Sequence, residues 1–383
     1  MKKIGVIGAG QAGQRIAVAL SAFDDVRVSG VVDPKNGREI LSGKGSAWAI
    51  PGVKFFEDDD QMLAEDYDAL VVAADPINVA YEPLGDSRKP LVLARNKVNC
   101  PVLWERPFGI SSKHPGAITN IVPSKAQSII SFARFGLPAK LSKSLLGSGA
   151  LGELIDFEMY LTLNCGLAGK RWRHLGEGGV PLPVHFLDNA FELVEAMGLG
   201  QIVSISATKQ EANREGVKFD EKWEVSLKLD SGLTGRIVAL QYLGSKEFLY
   251  SQRSLRVVGS KGALVSAFGR TSFLDSAGNE HALNAAGFGI DPRITIATDR
   301  LIRFFRDVDG YPDNALCRGE AQSLAECLRL WVDTWTQEGI STAFKLPTHE
   351  DAARYLSLAE ATITSATDGV TVRTANLYKQ TKK

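Results

Sequence analysis

Over its first hundred or so residues the chain alternates short apolar runs with polar or amphipathic stretches. Lys3–Ile7 is a β-branched run, and Gln14–Phe23 follows with Ile16, Ala19, Leu20 and Phe23 at helical spacing. Val26–Val32 and Val53–Phe56 read as further strands, with a helical turn over Asp60–Ala64 between the latter and the next. Ala69–Ala74 is apolar throughout, the pattern of a parallel strand buried on both faces. A further apolar stretch, Pro90–Ala94, leads to Val102–Trp104. Strands separated by helical segments in this way predict a doubly wound parallel sheet.

From Gln127 onward the period changes. Ser128–Phe135, Leu154–Leu163 and Gln201–Lys209 alternate apolar and polar positions. Trp223–Leu229 and Gly235–Leu243 flank the turn Asp230-Ser231-Gly232, and Leu255–Gly259 and Ala263–Phe268 flank Ser260-Lys261-Gly262. Ser272–Leu274 adds a last strand. Helical periodicity marks Val184–Met197, Thr298–Phe305, Gly319–Gln337 and His349–Ala366. The expectation is a mostly antiparallel open sheet with helices on one face. Two domains follow: a Rossmann dinucleotide-binding domain over 1–125, and an α/β substrate-binding and oligomerisation domain over 126–383.

Composition narrows the class. The 383 residues carry 44 basic and 44 acidic side chains, so there is no basic excess to suggest nucleic acid as partner. Without a run of about 18 apolar residues, no membrane span is expected. The run Glu57-Asp58-Asp59-Asp60 reads as loop and helix start rather than a metal site, because carboxylates suit a helix N-terminus. Cys100, Cys165, Cys317 and Cys327 lie far apart and outside any zinc spacing, as free thiols in a reducing, cytoplasmic protein would.

The chemistry begins at Gly8-Ala9-Gly10-Gln11-Ala12-Gly13, directly after the first strand. Three glycines in six residues mean little alone. Between a strand and a helix, with Asp33 closing the second strand, they form a dinucleotide fingerprint. Gly8 permits the tight turn, Gly10 a close approach of backbone to pyrophosphate, and Gly13 close helix–strand packing. Asp33 would bind the ribose hydroxyls and repel a 2′-phosphate, which favours NAD, although Lys35 and Arg38 leave NADP open. Strand carboxyl ends line the ligand crevice of such a sheet, so Ala73, Ala74, Asp75 and Asn78, and then Glu105-Arg106-Pro107, should border the cofactor.

The motif order resembles the glucose–fructose oxidoreductase / inositol dehydrogenase / MocA-type oxidoreductases. The fingerprint, a Glu-Arg-Pro turn, Gly149-Ala150-Leu151-Gly152-Glu153-Leu154, His185-x-x-Asp188 and the closing helix "HEDAARYLSLAEATITSATDGVTV" occur in sequence, across nearly the whole chain. The resemblance implies hydride transfer between NAD(P) and a sugar-like secondary alcohol or ketone. It implies a homodimer or homotetramer built on the exposed face of the antiparallel sheet. It also implies a catalytic lysine, aspartate and histidine. Arg106 stands in the lysine's place and His185 in the histidine's, while Pro181 occupies the aspartate's position and Pro183 the glycine's. The family's Thr-Pro-Asn-x-x-His loop appears as Ala74–Ala80 without its histidine.

An arginine cannot act as a proton shuttle, but it can stabilise an alkoxide or clamp a carboxylate. His185 retains a side chain suited to general acid/base work, and it equally reads as a core histidine among Phe186, Leu187 and Phe191. Trp172, Arg173 and His174 lie in a glycine-rich loop that is either a substrate contact or solvated. Tyr160 is a further substrate contact to weigh, and Arg134 is either another or the partner of a carboxylate. The departures keep two other functions open: reduction of a C=N bond, and a catalytically silent nucleotide-binding protein.

Overall fold

The computed structural model describes residues 1–33, 37–42, 48–74, 93, 98–109, 112, 127–131, 133–164, 182–214, 217–242, 252–267, 270–283, 291–310, 315–336 and 345–374. They divide into two compact units, Met1–Phe132 with Ile290–Asp313 and Glu320–Ala353, and Ala133–Gly289 with Asn314–Gly319 and Arg354–Lys383.

In the first unit the β-branched runs become β1 (Lys2–Ile7), β2 (Val26–Val32), β3 (Lys54–Phe56), β4 (Ala69–Val72), β5 (Val102–Trp104) and β6 (Gln127–Ile129). They form one parallel sheet in the order β3-β2-β1-β4-β5-β6. Helix α1 (Gln11–Leu20) starts three residues before the apolar periodicity suggests, because Gly10 caps it and the helix grows straight out of the glycine turn. Two short helices follow, α2 (Gly37–Ser42) and α3 (Asp59–Leu63). Asp58 caps α3 by accepting the Gln61 N–H at 2.8 Å. Ile7, Val32, Leu70, Val72, Val102, Trp104 and Ile129 share one buried cluster.

The expected alternating strand over Ser128–Phe135 is corrected here. Among the described residues of that span the strand covers Gln127–Ile129, and it is the sixth parallel strand rather than part of the second sheet. Gly136 then caps α4 (Leu137–Gly147), a helix the alternation reading hid.

The second sheet has nine strands in the order β14-β13-β12-β11-β7-β10-β9-β8-β15. Its centre is β7 (Leu154–Asn164), β8 (Ile202–Arg214), β9 (Val217–Leu229), β10 (Thr234–Tyr242) and β11 (Gln252–Gly259). The sheet continues through β12 (Gly262–Ala267), β13 (Arg270–Asp275) and β14 (Glu280–Leu283), and on the other edge β15 (Val372–Arg373). All its pairings are antiparallel except β7 with β10. Phe157, Met159 and Leu161 of β7 enter its core with Phe191 of α5 (Asp188–Ala196).

Helices α6 (Pro292–Asp307) and α7 (Ala315–Thr336) were expected over this sheet, yet α6 and α7 from Glu320 onward group with the first unit. The cause is electrostatic as well as apolar. Arg329 of α7 is 2% exposed and donates to both carboxylate oxygens of Asp25, at 2.8 and 2.7 Å, in the turn before β2. Arg15 of α1 bonds Asp309 at 2.8 Å and lies 4.7 Å from the Phe305 ring centre. The last helix, α8 (His349–Asp368), sends Tyr355, Leu358 and Ala361 into the core of the second unit. Among the described residues no helix is long and apolar enough to cross a membrane.

Candidate functional site

The glycine loop is built from three different constraints. Gly8 has φ +89°, a left-handed conformation that a side chain rarely takes, and a Cβ there would lie 2.7 Å from the Ala73 carbonyl oxygen. At Gly13 a Cβ would lie 1.9 Å from the Gly8 carbonyl oxygen, so α1 packs against the turn with no room for a methyl group. Around Gly10 nothing stands within 4 Å of the corresponding point. The loop is thus closed by backbone at both ends and open in the middle, where the sequence places the approach of a pyrophosphate.

Asp33 is tied to this loop: its Oδ2 accepts the Ala9 N–H at 2.8 Å. Gln14, buried on α1, donates to the Ala9 carbonyl at 2.8 Å and holds the same turn from below. Ala73 donates its N–H to Ile7 at 2.8 Å, which puts the end of β4 beside Gly8. The Gln11 side chain, at the first position of α1, donates to Asp309 at 2.9 Å. Ala74 is described, while Asp75 and Asn78 lie outside the described residues.

At the end of β5 the Glu105 N–H donates to Val72 at 2.8 Å, and the Arg106–Pro107 peptide is cis. Gly109 closes the turn with φ +104°. Phe108 is buried against Trp104, with ring centres 5.0 Å apart, and anchors the turn. Arg106 donates from Nε to the Ile130 carbonyl at 2.9 Å, which fixes its guanidinium at the carboxyl ends of β5 and β6.

In the second unit His185 belongs to a π-helical turn, Pro183–Leu187, that runs into α5. The expected single helix over Val184–Met197 is therefore two segments. The Asp188 N–H reaches back to Pro183 O, a wider ring than in an α-helix, next to a residue that has no N–H of its own. The His185 side chain lies outside the described part.

Arg134 takes the ion-pair alternative, donating from Nε to buried Glu192 at 2.6 Å. The strand neighbours of Tyr160, Met159 and Leu161, point into the core, so Tyr160 is on the open face of the sheet. There it donates to Glu158 at 3.0 Å and accepts from Arg236 at 2.9 Å, away from the helix-covered side that carries the His185 turn. The Arg236 guanidinium holds the Glu158 carboxyl below its usual range. Trp172, Arg173 and His174 lie outside the described residues. Sequence reasoning missed Gln14, which holds the loop from α1, although a glutamine on an apolar helix face was a legible signal.

Residues 2–127 match the family model Gfo/Idh/MocA, described as an oxidoreductase family with an NAD-binding Rossmann fold. A sequence search among curated proteins finds no match. Solved structures match the fold of the whole chain. An oxidoreductase from Agrobacterium radiobacter in complex with NAD+, L-tartaric acid and magnesium is 16% identical over 98% of this chain and 99% of its own, with a TM-score of 0.71. A myo-inositol dehydrogenase from Corynebacterium glutamicum is 18% identical over 97% and 98%, with a TM-score of 0.68. Levoglucosan dehydrogenase in complex with NADH and levoglucosan is 14% identical over 98% and 99%, with a TM-score of 0.72. At these identities the likeness is one of fold.

Proposed function

We propose that the chain is an NAD-dependent oxidoreductase that moves a hydride between the nicotinamide and a secondary alcohol or ketone of a sugar-like small molecule. The observation that carries the reading is the glycine loop, open at Gly10, closed at Gly8 and Gly13, and tied to Asp33. The backbone at Gly8, Gly10, Gln11, Ala12 and Gly13 would cradle the pyrophosphate, where the N-terminus of α1 offers free N–H groups and its positive dipole end. Asp33 would take the adenosine ribose, making NADH a tighter ligand than NADPH. Ala73, Ala74, Asp75, Asn78, Glu105, Arg106 and Pro107 would border the nicotinamide half. When bound, the nicotinamide supplies or accepts the hydride.

The remaining chemistry is charge and proton handling. Arg106 stays protonated at all working pH, so its role is to stabilise the developing alkoxide. His185 exchanges the hydroxyl proton as general acid/base, since an imidazole titrates near neutrality. The loop with Trp172, Arg173 and His174 contacts the substrate. Copies associate through the open face of the nine-stranded sheet as a homodimer or homotetramer in the cytoplasm.

A test is turnover. The purified protein is mixed with NAD(H) or NADP(H) and a panel of sugars, keto-sugars and imines, and the nicotinamide absorbance is followed. Turnover on a sugar hydroxyl or its ketone, with NAD(H) preferred, is the expected result. Turnover confined to imines would move the reaction to C=N reduction. The silent reading is favoured by Pro181 and by the engagement of Arg106 Nε with Ile130. It wins if NADH binds tightly and no candidate is turned over.

A further inference from the structure

Helix α6 is amphipathic in a way that its packing does not use up. Ala297, Leu301, Phe304 and Phe305 are buried, and the other face carries Arg300, Arg303 and Arg306 at every third position. Positions three apart are neighbours on a helix, with roughly 5–6 Å between Cβ atoms, so three like charges stand in one row. Beside that row lies a cleft of about 730 Å³, within the range of roughly 300–1,000 Å³ that small-molecule sites occupy. Its apolar wall is Trp48, packed edge-on against Phe304 with ring centres 5.2 Å apart, and Ile296, which is 58% exposed.

Two carboxylates share the cleft, Asp299 and Asp307, so the three arginines leave it net positive. Asp307 is engaged: it accepts Arg306 Nε at 2.7 Å, and Arg306 with Arg303 holds its carboxyl below the usual range. Among the described residues Asp299, Arg300 and Arg303 have no hydrogen-bond or ion-pair partner. Arg300 is half-buried, and burial alone pulls its guanidinium below the ordinary value, with no carboxylate to offset it. A guanidinium presents five N–H donors in a fixed fork, and donors removed from water in a folded protein are ordinarily bonded. Arg300 therefore holds a charge and a set of donors that the chain itself does not satisfy.

We propose that this cleft is a second ligand site, for a small organic phosphate: the phosphate lies across Arg300 and Arg303, and the carbon skeleton lies against Trp48 and Ile296. A phosphate monoester carries about −1.5 to −2 charges at neutral pH and three acceptor oxygens, so it can take two neighbouring guanidinium forks at once. A carboxylate, with two oxygens, fills one fork. The indole and Ile296 suit the site to an organic phosphate over the inorganic ion. No residue of the glycine loop lines the cleft, so its ligand binds alongside a dinucleotide and not in place of it. The site is separate from the reaction proposed above and does not rest on it.

The test titrates the full chain calorimetrically with phenyl phosphate and, separately, with inorganic phosphate, each with and without saturating NADH. Phenyl phosphate has no sugar hydroxyl, which keeps the probe apart from the substrate class assigned above. It should bind more tightly than inorganic phosphate, and equally well with NADH present. Arg300→Gln and Arg303→Gln should each weaken it about tenfold or more, with NADH affinity unchanged. In melts, phenyl phosphate should raise the melting temperature of the parent and not that of Arg300→Gln, because only a ligand of the folded state stabilises it. If Arg300→Gln does not fold, Arg303→Gln, whose side chain is exposed, decides alone. A folded parent that binds neither probe overturns the proposal, as does binding that both variants retain in full. Displacement of the probe by NADH would assign it to the glycine loop, and inorganic phosphate binding as tightly as phenyl phosphate would leave only a general anion patch; either result overturns the site.

Discussion

Two glycines of the phosphate turn, Gly13 at its closed end and Gly10 in its open middle, should respond oppositely to one added methyl group. In Gly13→Ala the new Cβ would stand 1.9 Å from the Gly8 carbonyl oxygen and 2.9 Å from its carbon, both backbone atoms that cannot rotate away. Helix α1 must move off β1, an overpacking cost of about 3 kcal/mol or more. In Gly10→Ala the residue keeps φ −64° and ψ −173°, a backbone conformation open to any residue, and the methyl meets nothing within 4 Å. The fold should hold or gain roughly 0.4–1 kcal/mol through the less mobile unfolded chain. The methyl would instead occupy the space through which a pyrophosphate reaches the backbone. NADH should then bind at least tenfold more weakly, a loss of about 1.4 kcal/mol. Thermal or urea melts and calorimetric NADH titrations of both variants separate the effects. A folded Gly10→Ala protein that binds NADH as tightly as the parent would refute the placement of the cofactor on this loop.

Other perturbations follow from named contacts. Arg329→Met leaves Asp25 and Asp333 without their buried partner and should cost about 3–5 kcal/mol in urea melts, whereas a loss below 1 kcal/mol would show the network to be idle. The Arg329 hydrogen bond is the largest influence holding the Asp25 carboxyl below its usual range. Its contribution is therefore present above the unfolded value of about 3.9 and lost as pH falls through the lower folded value. The variant's melts should show less of this acid-side decline than the parent's. Asp33→Ser should raise the NADPH-to-NADH affinity ratio about tenfold while weakening NADH, since the Ala9 N–H loses its carboxylate; an unchanged ratio in paired titrations contradicts the ribose role. Burial pushes the Cys100 thiol up to about 11, so iodoacetamide near neutral pH followed by peptide mass spectrometry should label it far more slowly than in the unfolded chain. A monomer in light scattering at micromolar concentration would count against association through the open sheet face.

Local signals carried the first sheet. Val26–Val32 and Ala69–Val72 are recognisable because β-branched residues buried on both faces leave little alternative, and the glycine loop is fixed by the strand before it and the helix after it. The tertiary assignment of α6 and α7 was not legible. It rests on Arg329 meeting Asp25 across 304 residues and Gln11 meeting Asp309 across 298, which no periodicity encodes. Helix α4 was missed because Ser128–Phe135 happens to alternate; its own Leu137, Leu141 and Leu145 repeat at helical spacing once the strand is shortened. The alternation along β7 did make its covered face legible, since Phe157, Met159 and Leu161 enter the core and Tyr160 falls on the other side. Asp220 was hidden. In "KFDEKWEV" it reads as one more solvated charge, yet it is buried and accepts the N–H of Leu182 from another element.

The central claim is hydride transfer to or from a carbinol carbon, and isotope transfer tests it most directly. The protein is given NADH carrying deuterium at its transferable nicotinamide position together with a keto-sugar that it reduces, and the product is read by mass spectrometry and NMR. The account predicts one deuterium on the new carbinol carbon for each NADH consumed. Reduced product without deuterium there, or NADH that binds at the glycine loop and reduces no ketone offered, would contradict it.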